Sequence, residues 1–396
     1  MKSPLSIDMA EATRLTREGR LHEAMALLQG GGASASTATS DAGATDAIDM
    51  DPPLEGSGAW TAREAGAAPE PGKPTAGRKP GLPKSLAAKL RSMPLAGMRR
   101  KPASAEAAPP AGARFQKRRH GGGGDGRDYR LYVPASYAGK PLPLVVMLHG
   151  CTQTPEDFAA GTGMNALAEE QSFLVAYPAQ PSSANANRCW NWFNGQDQQR
   201  DRGEPALIAG ITREVMREFA VDPARVYVAG LSAGGAAAVI MARAYPDLFA
   251  AAGVHSGLAC GAASDVASAF SAMRQGGQGV RAAEGAPVPS IVFHGDQDRT
   301  VSPLNAGQVL TQARGGARLG SSVRRGSVRG GRDYTVTTDS DASGTPVLEH
   351  WLLHGAGHAW SGGSDAGSYT DPQGPDASRE MMRFFGHHAA AGAPAR

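Results

Sequence analysis

Apolar and polar positions along the chain fall into two regimes that meet near residue 125. Downstream of that point, short apolar runs alternate with stretches of helical periodicity. Residues 127–134, RDYRLYVP, alternate with the period of a half-buried strand and close on a proline. Residues 142–150, LPLVVMLHG, run apolar without a break, the signature of a strand covered on both faces. Further strands are predicted at 173–178, 225–230, 250–256, 290–295 and 347–355. Helices are predicted around Met164–Glu170, over 205–219, near 233–245 and 303–313, and at the C-terminus. Apolar strands alternating with helices specify an α/β domain over residues 125–390, a mostly parallel sheet with helices on both faces.

Upstream the pattern weakens. Within residues 1–29, Ala12, Leu15, Leu21, Ala24 and Leu28 share helical spacing, interrupted at Gly19, and predict one short helical segment. Residues 30–124 are rich in Ala, Gly, Pro, Ser and Thr. With so few large apolar side chains they cannot offset the entropy of ordering, and a long disordered linker is expected. Its basic clusters, Arg99, Arg100 and Lys101 and then Lys117, Arg118 and Arg119, are expected to be solvated, with weak attachment to an anionic or granule surface as their other use. The 52 glycines and 28 prolines among 396 residues exceed ordinary usage, and much of the excess lies in this region.

A net charge of +3 is too small to point to a nucleic-acid partner. No stretch reaches the roughly 18 apolar residues of a transmembrane helix. The first residues lack the apolar core of a secretory signal, so a cytoplasmic location is expected from sequence alone. Cys151, Cys189 and Cys260 lack zinc-ligand spacing; three reduced thiols and a single structural disulfide both remain open.

The chemistry concentrates at Gly230-Leu231-Ser232-Ala233-Gly234, between the strand RVYVAG and a helical run. A nucleophile elbow needs that setting: a sharp strand-to-helix turn whose flanking glycines leave room for a strained serine. A serine hydroxyl needs a base, and hydrolases with this elbow place acid and then histidine later in the chain. His358, in the glycine-bearing loop after the last strong strand, is the expected base, with His354 as the alternative. His255 and His294 stand at strand ends ahead of the acid candidates. The run SIVFHGDQDRTV supplies Asp298 as the expected acid and Asp296 as the alternative. Oxyanion donors are expected from the N–H of Ala233 and from Cys151 or its neighbour Thr152. His149 is expected to be structural.

Five ordered motifs, LHGCTQ (148–153), RCWNWF (188–193), GLSAGG (230–235), HGDQDRTV (294–301) and GAGHAWSGG (355–363), resemble the polyhydroxybutyrate depolymerase family of esterases, relatives of feruloyl and acetylxylan esterases. The resemblance runs from about residue 127 to 386. It implies an α/β-hydrolase fold and the triad Ser232, Asp298 and His358. It also implies that Cys151, Trp190, Trp192 and Trp360 lie near the substrate cleft.

The function expected is a serine carboxylic ester hydrolase acting through an acyl-enzyme, without metal or organic cofactor. Its expected substrates are 3-hydroxyalkanoate oligomers or other short acyl esters. Alternatives are a feruloyl or acetylxylan esterase, a serine peptidase of the same fold, and an inert granule-binding scaffold. Secreted members of the family leave an extracellular location open. Cys151 and Cys189 both belong to loops at the carboxyl ends of strands, and convergence of those loops would bring them within bridging distance, leaving Cys260 free.

Overall fold

A computed structural model of the chain describes residues 108–122, 126–278, 280 and 287–390, with the backbone of residues 50–51 and 61–62. The latter two segments pair antiparallel within a unit of their own, Gly32–Arg99. The helical segment expected within residues 1–29, the rest of the linker up to residue 107 and the Arg99–Lys101 cluster lie outside the described residues.

The apolar runs become strands and the periodic stretches become helices. In chain order these are β1 (Arg114–His120), β2 (Arg127–Val133), β3 (Leu142–Leu148), α1 (Pro155–Thr162), α2 (Met164–Gln171) and β4 (Leu174–Pro178). After these come α3 (Gly203–Glu218), β5 (Val221–Leu231), α4 (Ala233–Ala244), β6 (Ala251–His255), α5 (Val266–Gln275) and β7 (Ser290–Gly295). The chain continues through α6 (Leu304–Arg314), β8 (Gly320–Ser327), β9 (Asp333–Ser340) and β10 (Pro346–Leu353). The short paired segments β11 (Trp360–Ser361) and β12 (Thr370–Asp371) precede the last helix, α7 (Ala377–Phe385).

Among the described residues ten strands form one sheet in the order β8-β9-β10-β7-β6-β5-β3-β4-β2-β1. The six from β10 to β4 run parallel, and antiparallel pairs close both edges. The continuous apolar runs follow from this burial. On β3, Leu144, Val146 and Leu148 enter the core on one face, with α3 and α4, while Val145 and Met147 enter the core on the other, with α1, α2 and α7. A parallel strand covered on both sides has no face on which a polar residue is cheap. No helix among the described residues is long and apolar enough to cross a membrane.

Two edge elements depart from expectation. Residues 114–120 are not linker but β1, paired with β2 from Arg114↔Val133 to His120↔Arg127. The charge run that suggests solvation suits an edge strand, where charged side chains guard the open hydrogen-bonding side. Lys117 and Arg119 reach Asp128 at 3.3 and 2.7 Å, Arg118 pairs with Glu218, and Phe115 sets its ring edge-on to Tyr132 and Tyr177. This corrects the linker boundary at 124, while Lys117 and Arg119 remain exposed, as expected, on a strand instead of a linker. The second departure is the β8–β9 hairpin. Its outer strand GSSVRRGS is exposed almost throughout, so no apolar alternation betrays it.

Removal of β1 strips ring contacts and ion pairs from β2. A chain starting at residue 121 is therefore expected to melt at least ~4 °C below one starting at residue 108, in side-by-side calorimetry. Equal melting temperatures would show that β1 adds nothing to the sheet.

Candidate active site

At the end of β5 the chain turns into α4 through Ser232, whose φ of 57° and ψ of −119° lie outside the regions a serine ordinarily occupies. The flanking glycines make the turn sterically feasible. A Cβ on Gly230 would sit 2.3 Å from the Gly234 carbonyl oxygen, and one on Gly234 would sit 2.0 Å from that of Leu148. The Ser232 N–H donates to the carbonyl of His255 at 2.8 Å, which ties the elbow to the end of β6.

The acid stands just past β7. Asp298 Oδ2 lies 2.7 Å from His358 Nδ1, while its Oδ1 accepts the N–H groups of Thr300 and Val301 at 2.9 Å each. His294 Nε2 stands 3.4 Å from Asp298 Oδ2 and 2.8 Å from the Val301 carbonyl. Burial alone would push the Asp298 carboxyl up. The bonds from His294 and His358, the charge of His358 and the Val301 amide outweigh it, and Asp298 is held well below the usual carboxylate range. His294 is a contributor that its place inside a strand end concealed.

The two alternative residues meet each other instead. His354 Nδ1 lies 3.1 Å from Asp296 Oδ2, and the Gly355 N–H donates to Asp296 Oδ1 at 2.7 Å. Thr335 of β9 approaches His354 Nε2 at 2.9 Å. This second pair fastens the start of the loop that carries His358. The unanticipated hairpin thus buttresses the site, and Arg332 from its turn holds the Gly355 carbonyl at 2.7 Å.

His255 secures the far end of the same loop. Its ring nitrogen Nε2 accepts the Ser361 N–H at 3.0 Å, and its ring stacks on Phe293 and Trp360. Burial, reinforced by His294 and His358, pushes its pKa down to about 3, so the ring is neutral.

Among the described residues no hydrogen bond engages the N–H of Ala233, at the open first turn of α4, or that of Cys151. The Thr152 N–H is engaged by the Asn187 carbonyl at 2.6 Å, which favours Cys151 over its neighbour as an oxyanion donor. Cys151 and Cys189 are joined, with Cα atoms 4.2 Å apart, and Cys260 is free; the reading of three reduced thiols gives way. A polar network backs the bridged loops. His149, its pKa pushed down to about 4 by burial, accepts the Gln180 N–H at 3.1 Å, and Trp190 Nε1 donates to the His149 carbonyl. Gln180 bonds the Cys189 carbonyl and the Glu204 carboxylate, which also takes the Asn191 N–H at 2.7 Å. Burial, with the charge of Asp197, lifts Glu204 to about 7.

The sequence reading expects Trp190, Trp192 and Trp360 near the cleft. They are 1%, 5% and 1% exposed, packed in the core. Trp360 spends its indole N–H on Ser378 and sets its ring edge-on to Phe158, so it offers no face to a ligand. The sequence clustering of these tryptophans reflects packing behind the loops. Beside Thr152 stands a residue without a sequence signal, Tyr369, whose hydroxyl is 3.1 Å from the Thr152 hydroxyl.

The sequence model of one family, described as esterase PHB depolymerase, matches residues 127–329, half of the chain. Poly(3-hydroxyalkanoate) depolymerase C of Paucimonas lemoignei is 36% identical over 228 residues, 54% of this chain and 54% of that protein. Poly(3-hydroxybutyrate) depolymerase of Ralstonia pickettii is 30% identical over 267 residues, 61% and 54% of the two chains. Feruloyl esterase B of Thermothelomyces thermophilus is 30% identical over 200 residues, 46% and 67%. The chain spans about half the length of the two depolymerases it matches. An acetyl xylan esterase from Aspergillus awamori shares the fold, with a TM-score of 0.53 at 23% identity over 66% of this chain and 94% of that one. The family match includes the Ser232 elbow and Asp298 and ends before His358, whose place beside Asp298 rests on geometry. Elbow, sheet order and match agree: the chain belongs to the esterase PHB depolymerase family, on an α/β-hydrolase fold.

Proposed function

We propose that the protein is a serine carboxylic ester hydrolase that works through an acyl-enzyme on 3-hydroxyalkanoate oligomers or other short acyl esters. The observation that carries this is the His358–Asp298 pair at 2.7 Å, on a loop that shares the His255 anchor with the strained Ser232 elbow. With Nδ1–H donated to Asp298, His358 keeps Nε2 to take the Ser232 proton as the hydroxyl oxygen attacks the ester carbonyl. The oxyanion of the tetrahedral intermediate is received by the N–H groups of Cys151 and Ala233. Collapse expels the alcohol with the proton from His358. Water, deprotonated by the same histidine, then releases the acid and restores Ser232.

The substrate class rests on the relatives named for poly(3-hydroxyalkanoate) and poly(3-hydroxybutyrate). A feruloyl or acetylxylan ester is the second reading, supported by relatives that bear those names. A panel of hydroxybutyrate oligomers, feruloyl esters and acetylated xylan separates the two; exclusive cleavage of the latter pair overturns the first. The Cys151–Cys189 bridge favours work in an oxidising compartment over the cytoplasmic expectation.

Ser232→Ala is expected to lower ester turnover at least ~10³-fold without loss of fold, because the triad acts as a unit. Residual turnover above a tenth of wild type excludes Ser232 as nucleophile. Asp298→Asn should cost on the order of 10³–10⁴ in kcat, whereas Asp296→Asn, which loosens only the His354 clasp, should cost about tenfold or less; the reverse order moves the acid to Asp296. Non-reduced peptide mapping should recover the 151–189 bridge with Cys260 alone free. Cys189→Ser should then lower kcat about tenfold by freeing the oxyanion loop, and unchanged kinetics would remove the bridge from the catalytic account.

A further inference from the structure

We propose that His255 is a positioning residue for the reaction, a neutral acceptor that fixes the His358 loop in register with the Ser232 elbow. The proposal rests on the serine-hydrolase reading above. His255 is the last residue of β6 and is wholly buried. Its carbonyl accepts the Ser232 N–H at 2.8 Å, and the next amide, Ser256 N–H, donates to Phe293 at 2.9 Å, so the peptide that receives the elbow is fixed on both sides.

The ring carries the second half of the connection. Ser361 N–H is a donor only, so Nε2 must present its lone pair and the proton must reside on Nδ1, which faces the Ser256 hydroxyl at 3.2 Å. Stacking on Phe293 and Trp360 leaves the ring no freedom to turn. Ser361 is itself held from the opposite side, its hydroxyl donating to the Pro375 carbonyl at 2.7 Å. The loop is therefore clasped at both ends, at His354 and Gly355 by Asp296 and at Ser361 by His255, with His358 between the clasps. The titratable groups that face His255 are His294, His358 and Asp298. A phenylalanine would fill the same stack, but it has no acceptor for a buried N–H. That difference separates a positioning role from mere packing.

The test uses the full chain with His255→Phe, which keeps the stack and removes the acceptor, and His255→Gln, whose amide oxygen can reach the place of Nε2. The phenylalanine variant is expected to lose about 10–100-fold in kcat with KM within about twofold, as for a reacting group displaced by about an ångström. The glutamine variant is expected to regain all but about fivefold of it, whatever the order of their melting temperatures. Hydrogen exchange should accelerate across residues 355–363 in His255→Phe and stay near wild type in His255→Gln. If His255→Phe does not fold, His255→Asn, whose oxygen falls short of Ser361, takes its place with the same expectation. Wild-type kcat and exchange in the variant without an acceptor overturn the proposal, as do equal losses in both variants that track stability. If the wild type cleaves no ester the hydrolase reading fails, and the exchange pattern alone decides the role of His255.

Discussion

A serine held at φ 57° can persist only where the end of a strand and the start of a helix nearly touch, and the rest of the site follows from that approach. Backbone strain of this kind costs on the order of 1–3 kcal/mol and survives only when its surroundings over-determine it. Here residues 226–231 of β5 and 233–238 of α4, on either side of the turn, are all buried, and the Ser232 N–H is engaged by His255. The contact that permits the elbow, Gly234 against the Leu148 carbonyl, also brings the end of β3 beside the first turn of α4. The proposed oxyanion donors, on Cys151 and Ala233, therefore come from two segments whose spacing one steric constraint sets.

Charge in the site is sorted by burial and partners. Asp298 stays ionised although enclosed, because two histidines and two backbone amides supply more than burial removes. His149 and His255, without such partners, are kept neutral, and each uses Nε2 to accept a backbone N–H. A buried neutral imidazole is a rigid relay that can accept on one side and donate on the other. One serves the oxyanion side of the site and the other the base side. The disulfide and the Glu204 network stiffen the first side, and the Asp296–His354 clasp stiffens the second.

The central sheet was legible because its strands are buried on both faces, which forces unbroken apolar runs such as 142–148 and 290–295. The edges were not. Along β1 and β8 the side chains are exposed or paired by charge, and a basic edge strand reads the same as a solvated linker. The strained turn at Ser232 and the pairing of Asp298 with His358 were legible because an elbow of this kind implies an acid and then a histidine later in the chain, with glycines around them. The supporting residues were not. Nothing local in the sequence distinguishes His255 from any other histidine closing a strand, and its role depends on Ser361, 106 positions away. The tryptophans read from sequence as a cluster, and in the structure Trp190 and Trp192 belong to the core cluster on one face of the sheet and Trp360 to that on the other.

The central claim is that Ser232 forms a covalent acyl intermediate. Rapid acid quench during turnover of a short-chain ester, followed by peptide mass spectrometry, tests it directly. One acyl adduct on the peptide that contains Ser232, absent in His358→Ala, is the result this account predicts; hydrolysis at full rate with no adduct, or with the adduct on another residue, would contradict it.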